Sequence, residues 1–484
     1  MNVVNLLNSA LDVIPAAAAP PPPDFSRTPW WLVLVKCLVI VVVLIVSVVM
    51  GLWVERRGLA RMQTRPGPNV HGPLGLFQAL GDAVKLTTKE DIWKEGIDKV
   101  LYYMGPLITA FTAFMVYAVI PVGPQWKVGC DDAGHNCIID TPLQLVDMPV
   151  STLYILAITG LGVYGIVLGG WASRNTLSLI GSTRSAAQVI SYELAMGMSL
   201  VSVFIMSGSM STSEIVAAQK PVWWFVTLFP AFVIYLIAMV GEVNRLPFDM
   251  PECEGEIVAG HGTEYSSMKF AWFYLGEYVN MFNVSAVATT MFLGGWRLPF
   301  GDELFGGMFH SGLWPMLWFG IKVWFLFFLM VWVRGTLVRV RYDQLMSIGW
   351  KGLMPIALAW LVLVAVMRTV SYYSLLSFNQ LLLGLGAVFL VALVIIWVHG
   401  NKVDKRERER IKAEEEKAME PFDAFAGGFP VPPMPGQQLP PSPRRTQYAQ
   451  HNEKELVTVG LETTANDSKG EATDDKATLE GGTQ

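Results

Sequence analysis

Long apolar runs separated by polar connections fill the first 400 positions of the chain. Nine of them, at 31–54, 101–120, 153–170, 187–206, 223–240, 270–292, 313–333, 353–370 and 375–398, approach or exceed the about 20 mainly apolar residues that a membrane-crossing helix needs. The pattern predicts an all-α polytopic membrane protein with nine transmembrane helices, although Glu193 interrupts the fourth run. Between the first two runs, Leu76, Phe77, Leu80 and Val84 share one helical face, while Gln78, Asp82, Lys85 and Lys89 fall mostly elsewhere. That spacing predicts an amphipathic helix lying at the membrane surface. Past His399 the apolar runs end. Residues 402–420 mix both charges and read as a solvated helix at the membrane exit, where basic residues anchor on anionic lipid. Residues 421–443 are rich in Pro and Gly, and 444–484 are polar and acidic, so most of this tail is expected to be disordered.

The basic residues set an orientation. The connections at 55–100, 171–186, 241–269 and 334–352 hold eight, two, two and four Lys or Arg, and residues 401–412 hold six. Those at 121–152, 207–222 and 293–312 hold one each, and 371–374 none. Every odd-numbered connection exceeds its neighbours, which by the positive-inside rule puts the N-terminus outside and the C-terminus in the cytoplasm. The chain then divides into an extracytoplasmic segment 1–30, a membrane core 31–370, an extra ninth helix 371–400 and a cytoplasmic tail 401–484. With no basic n-region and four prolines at 20–23, no cleaved signal peptide is expected.

Composition agrees with a lipid-solvated chain: 52% of residues are hydrophobic and only 15% charged, against roughly 25% charged in soluble domains. A net charge of −5 argues against nucleic acid as a partner. Cys37, Cys130, Cys137 and Cys253 form no CxxC pair, and the histidines show no HxxxH or HExxH spacing, so no cluster or zinc site is expected. Cys130 and Cys137 share an outside connection, where a disulfide and two free thiols are equally compatible with the sequence. Gly160, Gly162 and Gly165 satisfy GxGxxG, but inside an apolar run and without the acidic residue about 20 positions on that a dinucleotide site requires. With Gly169 they read as a close helix-packing surface.

Chemistry concentrates in the charges that remain. The first cytoplasmic connection carries Arg61, Arg65, Asp82 and Lys85; topology and interfacial anchoring account for such residues as readily as a binding role does. The connection at 241–269 sets Glu242, Asp249, Glu252, Glu254, Glu256 and Glu264 against Arg245, His261 and Lys269. Carboxylates so crowded repel, and some should exchange protons near neutrality. Glu193, Glu277 and Lys322 fall within apolar runs, where a charge costs at least about 2.5–3.5 kcal/mol and faces a partner or a hydrated path. Arg184 and Tyr192 flank Glu193 as candidate partners. A proton path and a structural Lys322–Glu277 salt bridge remain equal readings.

Four blocks of these connections resemble a membrane-subunit family of bacterial respiratory complex I, the proton-pumping NADH:quinone oxidoreductase, whose mitochondrial counterpart is NADH dehydrogenase subunit one. The first runs from Glu55-Arg56-Arg57 through Arg65, Gly67-Pro68-Asn69, Gln78, Asp82 and Lys85-Leu86. The second holds Gly170-Trp171, Gly181, Arg184, Ala187-Gln188 and Ser191-Tyr192-Glu193. The third holds Glu242, Asn244-Arg245, Pro247-Phe248-Asp249, Glu252, Glu254, Glu256, Thr263-Glu264-Tyr265-Ser266 and Glu277-Tyr278. The fourth holds Arg334, Arg339, Arg341-Tyr342-Asp343-Gln344-Leu345-Met346 and Gly349-Trp350-Lys351. Three places depart from the family pattern: Asn175 is followed by Thr176-Leu177 instead of Lys-Tyr, Gly260 by His261-Gly262 instead of an aromatic and His or Asn, and Cys253 replaces a small residue.

The resemblance implies a subunit without a complete active site of its own. It would form the membrane side of a quinone chamber, with Arg61, Arg65, Asp82, Lys85, Arg245 and Phe248 there. Quinone reduction would be coupled to proton translocation through Glu193, Arg184, Tyr192, Glu242, Asp249, Glu252, Glu254, Glu256, Glu264, Glu277 and Lys322. The chain would bind no cofactor alone; quinone is the substrate, and FMN and iron–sulfur clusters belong to partner subunits. Implied partners are the peripheral iron–sulfur and quinone-site subunits, small membrane subunits, antiporter-like subunits and lipids of a bacterial cell membrane. The ninth helix and tail resemble extensions of actinobacterial members, with a scaffold or assembly role. The nearest alternative is the membrane anchor of a homologous energy-converting hydrogenase or ferredoxin-linked complex, and the intact first connection favours quinone. A stand-alone transporter is disfavoured because no inverted repeat is visible.

Overall fold

The computed structural model describes Phe25 and residues 28–130, 137–219, 223–251, 257–298 and 313–372, with Glu409 standing alone; the side chains at 127–140 and 371–372 lie outside that description. The chain divides into two units, Met1–Leu381 and Leu382–Gln484. The predicted ninth span, the tail and the N-terminal segment fall almost entirely outside the described residues.

The helices of the first unit are α1 (Trp30–Met62), α2 (Gln78–Thr88), α3 (Lys99–Met115), α4 (Ser151–Ala172), α5 (Thr176–Ser207), α6 (Thr212–Ala218), α7 (Trp224–Thr227) and α8 (Phe229–Glu242). They continue with α9 (Ser267–Met291), α10 (Trp314–Thr336), α11 (Tyr342–Ser347) and α12 (Met354–Tyr372). A 3₁₀ turn, Val116–Val119, extends α3, and a π-helical segment, Ile348–Leu353, joins α11 to α12. Among the described residues, six helical stretches are long and apolar enough to cross a membrane: Trp30–Met62, Lys99–Val119, Ser151–Ala172, Thr176–Ser207, Trp314–Thr336 and Tyr342–Val370. Two more predicted spans are helices that fall short. The 14 residues of α8 are too few, and the 25 of α9 are diluted by Lys269, Glu277, Asn280 and Asn283.

The all-α expectation misses one element. Gln125–Cys130 (β1) and Cys137–Pro142 (β2) pair antiparallel, with Gln125 opposite Pro142 and Cys130 opposite Cys137. The state of the two thiols lies outside the described side chains.

The glycine surface in the third predicted span does what its spacing implied. A Cβ at Gly165 would run into Thr109 Oγ1 and lie 2.7 Å from the Gly105 carbonyl, and one at Gly105 would lie 3.0 Å from Gly169 Cα. Only bare backbones let α3 and α4 approach this closely. The helix predicted at 187–206 begins eleven residues earlier, because Asn175 caps α5 by accepting from the Leu177 amide at 3.1 Å. Its first turns are kept inside by the buried small residues Ser178, Gly181, Ser182 and Ser185. At the other end Gly208, at φ +75°, closes the helix.

The amphipathic helix is present as α2, preceded by a 3₁₀ turn, Pro73–Gly75. Its apolar ridge faces away from the chain: Phe77, Leu80 and Val84 are exposed, whereas Ala79 is buried and Leu76 sides with the interior. The polar Asp82 turns inward to pair with Arg56 of α1. A ridge left open beside a membrane helix is suited to lipid or to a neighbouring subunit.

Candidate functional site

α9 stands at the centre of the described unit, with nearly every residue from Tyr278 to Met291 buried. Around its first half, α4, α5 and the turn after α8 line a partly open cavity of about 80 Å³, room for several water molecules. Glu242, Asn244, Asp249, His261, Tyr274, Glu277, Asn280 and Asn283 contribute its polar lining. Four buried polar atoms have no protein hydrogen-bond partner there: Glu242 Oε2, Asn244 Oδ1, His261 Nδ1 and Asn283 Oδ1. Atoms of this kind are normally satisfied by internal water, so the lining fits a hydrated cavity.

Small residues bring the carboxylates together. Gly241, in the last turn of α8, sits against the ring of Tyr192, where a Cβ would approach to 2.6 Å, and Gln188 holds the following turn by donating to the carbonyls of Gly241 and Phe248 at 2.7 and 2.6 Å. Glu242 is thereby set beside Glu193 of α5, whose charge acts on it, with Thr159 adjacent. Gly160 leaves space on α4 for the Glu193 carboxylate, since a Cβ there would lie 3.2 Å from Oε1.

A second cluster adjoins the cavity through Glu277, and one of its members escaped the sequence reading. Arg245 reaches Glu277 at 2.6 Å and Glu55 at 3.7 Å, and its guanidinium lies 4.4 Å from the centre of the Tyr278 ring. Glu55 is 2% exposed; it accepts from Tyr278 Oη at 2.5 Å and pairs with Arg334. Ending the first span at 54 left Glu55 in the first connection, named within the resembling block but given no role. The helix continues to Met62, and Leu44, Val48, Gly51 and Glu55 form its buried stripe, a spacing of four, three and four that marks an inward face.

The remaining candidates are placed as follows. Arg184 and Glu193 are nine residues apart on α5, which puts them roughly 13 Å apart along the axis and on opposite faces. Arg184 lies over the Tyr342 ring at 5.5 Å, and Tyr192 gives its hydroxyl to the Leu345 carbonyl at 3.2 Å. Neither flank residue is turned toward Glu193. Lys322 spends its three donors on the carbonyls of Leu293, Gly295 and Arg297, at 2.7, 2.9 and 2.5 Å, and lies 4.1 Å from the Trp223 ring. It closes the turn after α9, far along that helix from Glu277, which has Arg245 instead.

Glu264 accepts from Lys94 at 3.0 Å and from Asn175 at 2.8 Å. Burial pushes its carboxyl up, but these two donors and the Lys94 charge outweigh that effect and hold it below the usual carboxylate range. Phe248 packs 5.6 Å from Tyr192, and the Asp249 carbonyl accepts from Arg339 at 2.7 Å. Arg61, Arg65 and Lys85 are exposed on the first connection, while Arg245 is buried. Glu252, Glu254 and Glu256 lie outside the described residues. Among the described residues, no group of three or more His, Cys, Asp or Glu is placed to hold a metal ion.

A bundle of apolar helices built around an acid-lined cavity and a Glu55–Arg245–Glu277 chain defines an integral membrane protein. Residues 35–365 match the NADH dehydrogenase family. The chain is also 50% identical over 423 residues to the subunit designated H of the NADH-quinone oxidoreductase of Streptomyces avermitilis, an alignment covering 87% of this chain and 90% of that protein. The chain belongs to the NADH dehydrogenase family.

Proposed function

We propose that this chain is a membrane subunit of a proton-translocating NADH:quinone oxidoreductase, with its N-terminus outside and its C-terminus in the cytoplasm. It contributes one wall of the quinone chamber and passes the effect of quinone reduction to buried carboxylates. The observation that carries this reading is the cavity in which Glu242, Asp249 and Glu277 meet orphaned polar atoms, close to Glu193. Carboxylates withdrawn from bulk water and acting on one another change protonation when a nearby charge changes. The Glu55–Arg245–Glu277 chain connects the end of α1, next to the first connection, with the cavity lining. A charge formed near that connection is therefore felt at Glu277 through Arg245.

The exposed Arg61, Arg65 and Lys85 and the outward ridge of α2 suit a chamber completed by a partner subunit, with the quinone tail left in lipid. Such partners would hold the FMN and iron–sulfur clusters that bring electrons to the quinone. In this reading Arg245 holds charge between two carboxylates, whereas Glu264 and Lys322 hold loops in place.

Replacement Glu193→Gln in the assembled complex tests the proposal. NADH-driven acidification of inverted membrane vesicles should fall to a small fraction of its normal rate, with the complex present at normal abundance. Unchanged acidification refutes a proton role for Glu193.

A further inference from the structure

The cavity contains an imidazole that the carboxylate reading leaves unused. His261 stands in the 3₁₀ turn Gly260–Gly262, at a place where the chain departs from the family pattern. Two glycines fix it there. Gly260 has φ +50°, and a Cβ on it would collide with the Pro251 carbonyl oxygen. A Cβ on Gly181 of α5 would meet Gly260 Cα at 2.6 Å and the His261 amide nitrogen at 3.1 Å. Ser178 donates to the His261 carbonyl at 3.3 Å, and the Phe273 ring meets the imidazole edge-on at 5.1 Å.

The imidazole lines the cavity together with Glu242 from α8, Asp249 from the following turn, and Tyr274 and Glu277 from α9; α4 contributes Thr159. Its Nδ1 is shut away from solvent without a protein partner. Burial pushes the ring pKa down to about 4, so the imidazole stays neutral over the working range of pH, with one protonated and one bare nitrogen.

We propose that His261 is a proton relay between the acidic connection at Asp249 and the carboxylates of the cavity, acting through water bound on its ring nitrogens. In one passage a proton from water adds to the bare nitrogen, and the proton on the other nitrogen leaves to a second water. The ring begins and ends neutral, with its tautomer exchanged, and no net charge stays in the cavity. This rests on the proton role proposed above for Glu193 and Glu242.

The test uses the assembled complex in proteoliposomes, with NADH:ferricyanide activity as the check that the peripheral part is intact. His261→Gln keeps a polar group of similar size that cannot exchange protons at two nitrogens, and His261→Ala leaves space for imidazole. Protons moved per NADH oxidised should fall about tenfold or more in both, and imidazole added to His261→Ala should restore a substantial part. Normal pumping by His261→Gln overturns the relay, and so does a loss that imidazole leaves unchanged, which assigns the residue to packing alone. Glu193→Gln is run in parallel. If it pumps normally, the underlying reading fails; if it is inactive while His261→Gln pumps, only the relay fails.

Discussion

Arg245 offers a sharp energetic test, because it serves two carboxylates at once. Glu277 lies 2.6 Å from it and Glu55 3.7 Å, and its side chain is 8% exposed. In Glu55→Gln, Arg245 keeps Glu277, Arg334 at 30% exposure can turn to water, and Tyr278 can still donate to the amide oxygen. The cost should stay near that of a charged hydrogen bond, about 1.5–3 kcal/mol. In Glu277→Gln, Arg245 keeps Glu55 at the longer distance, and the cost should be similar. The double variant removes both of these carboxylates from a buried guanidinium, so neither loss is cushioned by the other partner. The double loss should therefore exceed the sum of the single losses by about 1–3 kcal/mol. Unfolding of the purified chain by SDS in mixed micelles, run as a double-mutant cycle, measures that excess. Additivity within about 0.5 kcal/mol would refute the shared role of Arg245.

Three further outcomes are expected. Gly165→Ala should cost about 1–3 kcal/mol by forcing α3 from α4, visible as a lower thermal midpoint, whereas Gly197→Ala, which has nothing within 4 Å of the added carbon, should be silent. Lys322→Met strips three carbonyls of their donor and should reduce the amount of assembled complex in the membrane, with protons pumped per NADH unchanged in what does assemble; a selective pumping loss would put Lys322 back on the proton path. Because Glu264 is held below its ordinary value, it contributes stability that is fully present above an unfolded value of about 4.3 and is lost as pH falls through the folded value. Lys94→Ala should remove most of that contribution, and comparison of thermal midpoints at neutral and acid pH should show a smaller acid-dependent drop than in the unaltered chain.

Six of the nine spans were legible because bilayer burial imposes long apolar runs, and the Gly165–Gly169 surface was legible because small residues at helical spacing have one common use in lipid. Less legible were the places where local cues and three-dimensional proximity part company. Arg184 and Tyr192 are Glu193's neighbours in sequence, but a helix turns neighbours to different faces. Lys322 looked like a counter-ion for Glu277, yet backbone carbonyls at a helix end satisfied it, and hydropathy cannot register those. Glu55 was hidden by its position beside two arginines, although its spacing from Leu44, Val48 and Gly51 held the answer. The two-stranded ribbon β1–β2 lay in a polar connection where no apolar period marks it.

The polarity of α9 has a consequence for how the protein is made. Its Lys269, Glu277, Asn280 and Asn283 work against spontaneous partition into hydrocarbon, and α8, at 14 residues, is short for the same journey. These two segments supply Glu242 and Glu277. The residues that give the cavity its chemistry thus belong to the stretches least able to enter a bilayer by themselves. Their integration during synthesis must draw on α1, α3, α4 and α5 already standing in the membrane as a receiving surface, so biogenesis of the acid-lined centre is templated by the apolar helices that precede it.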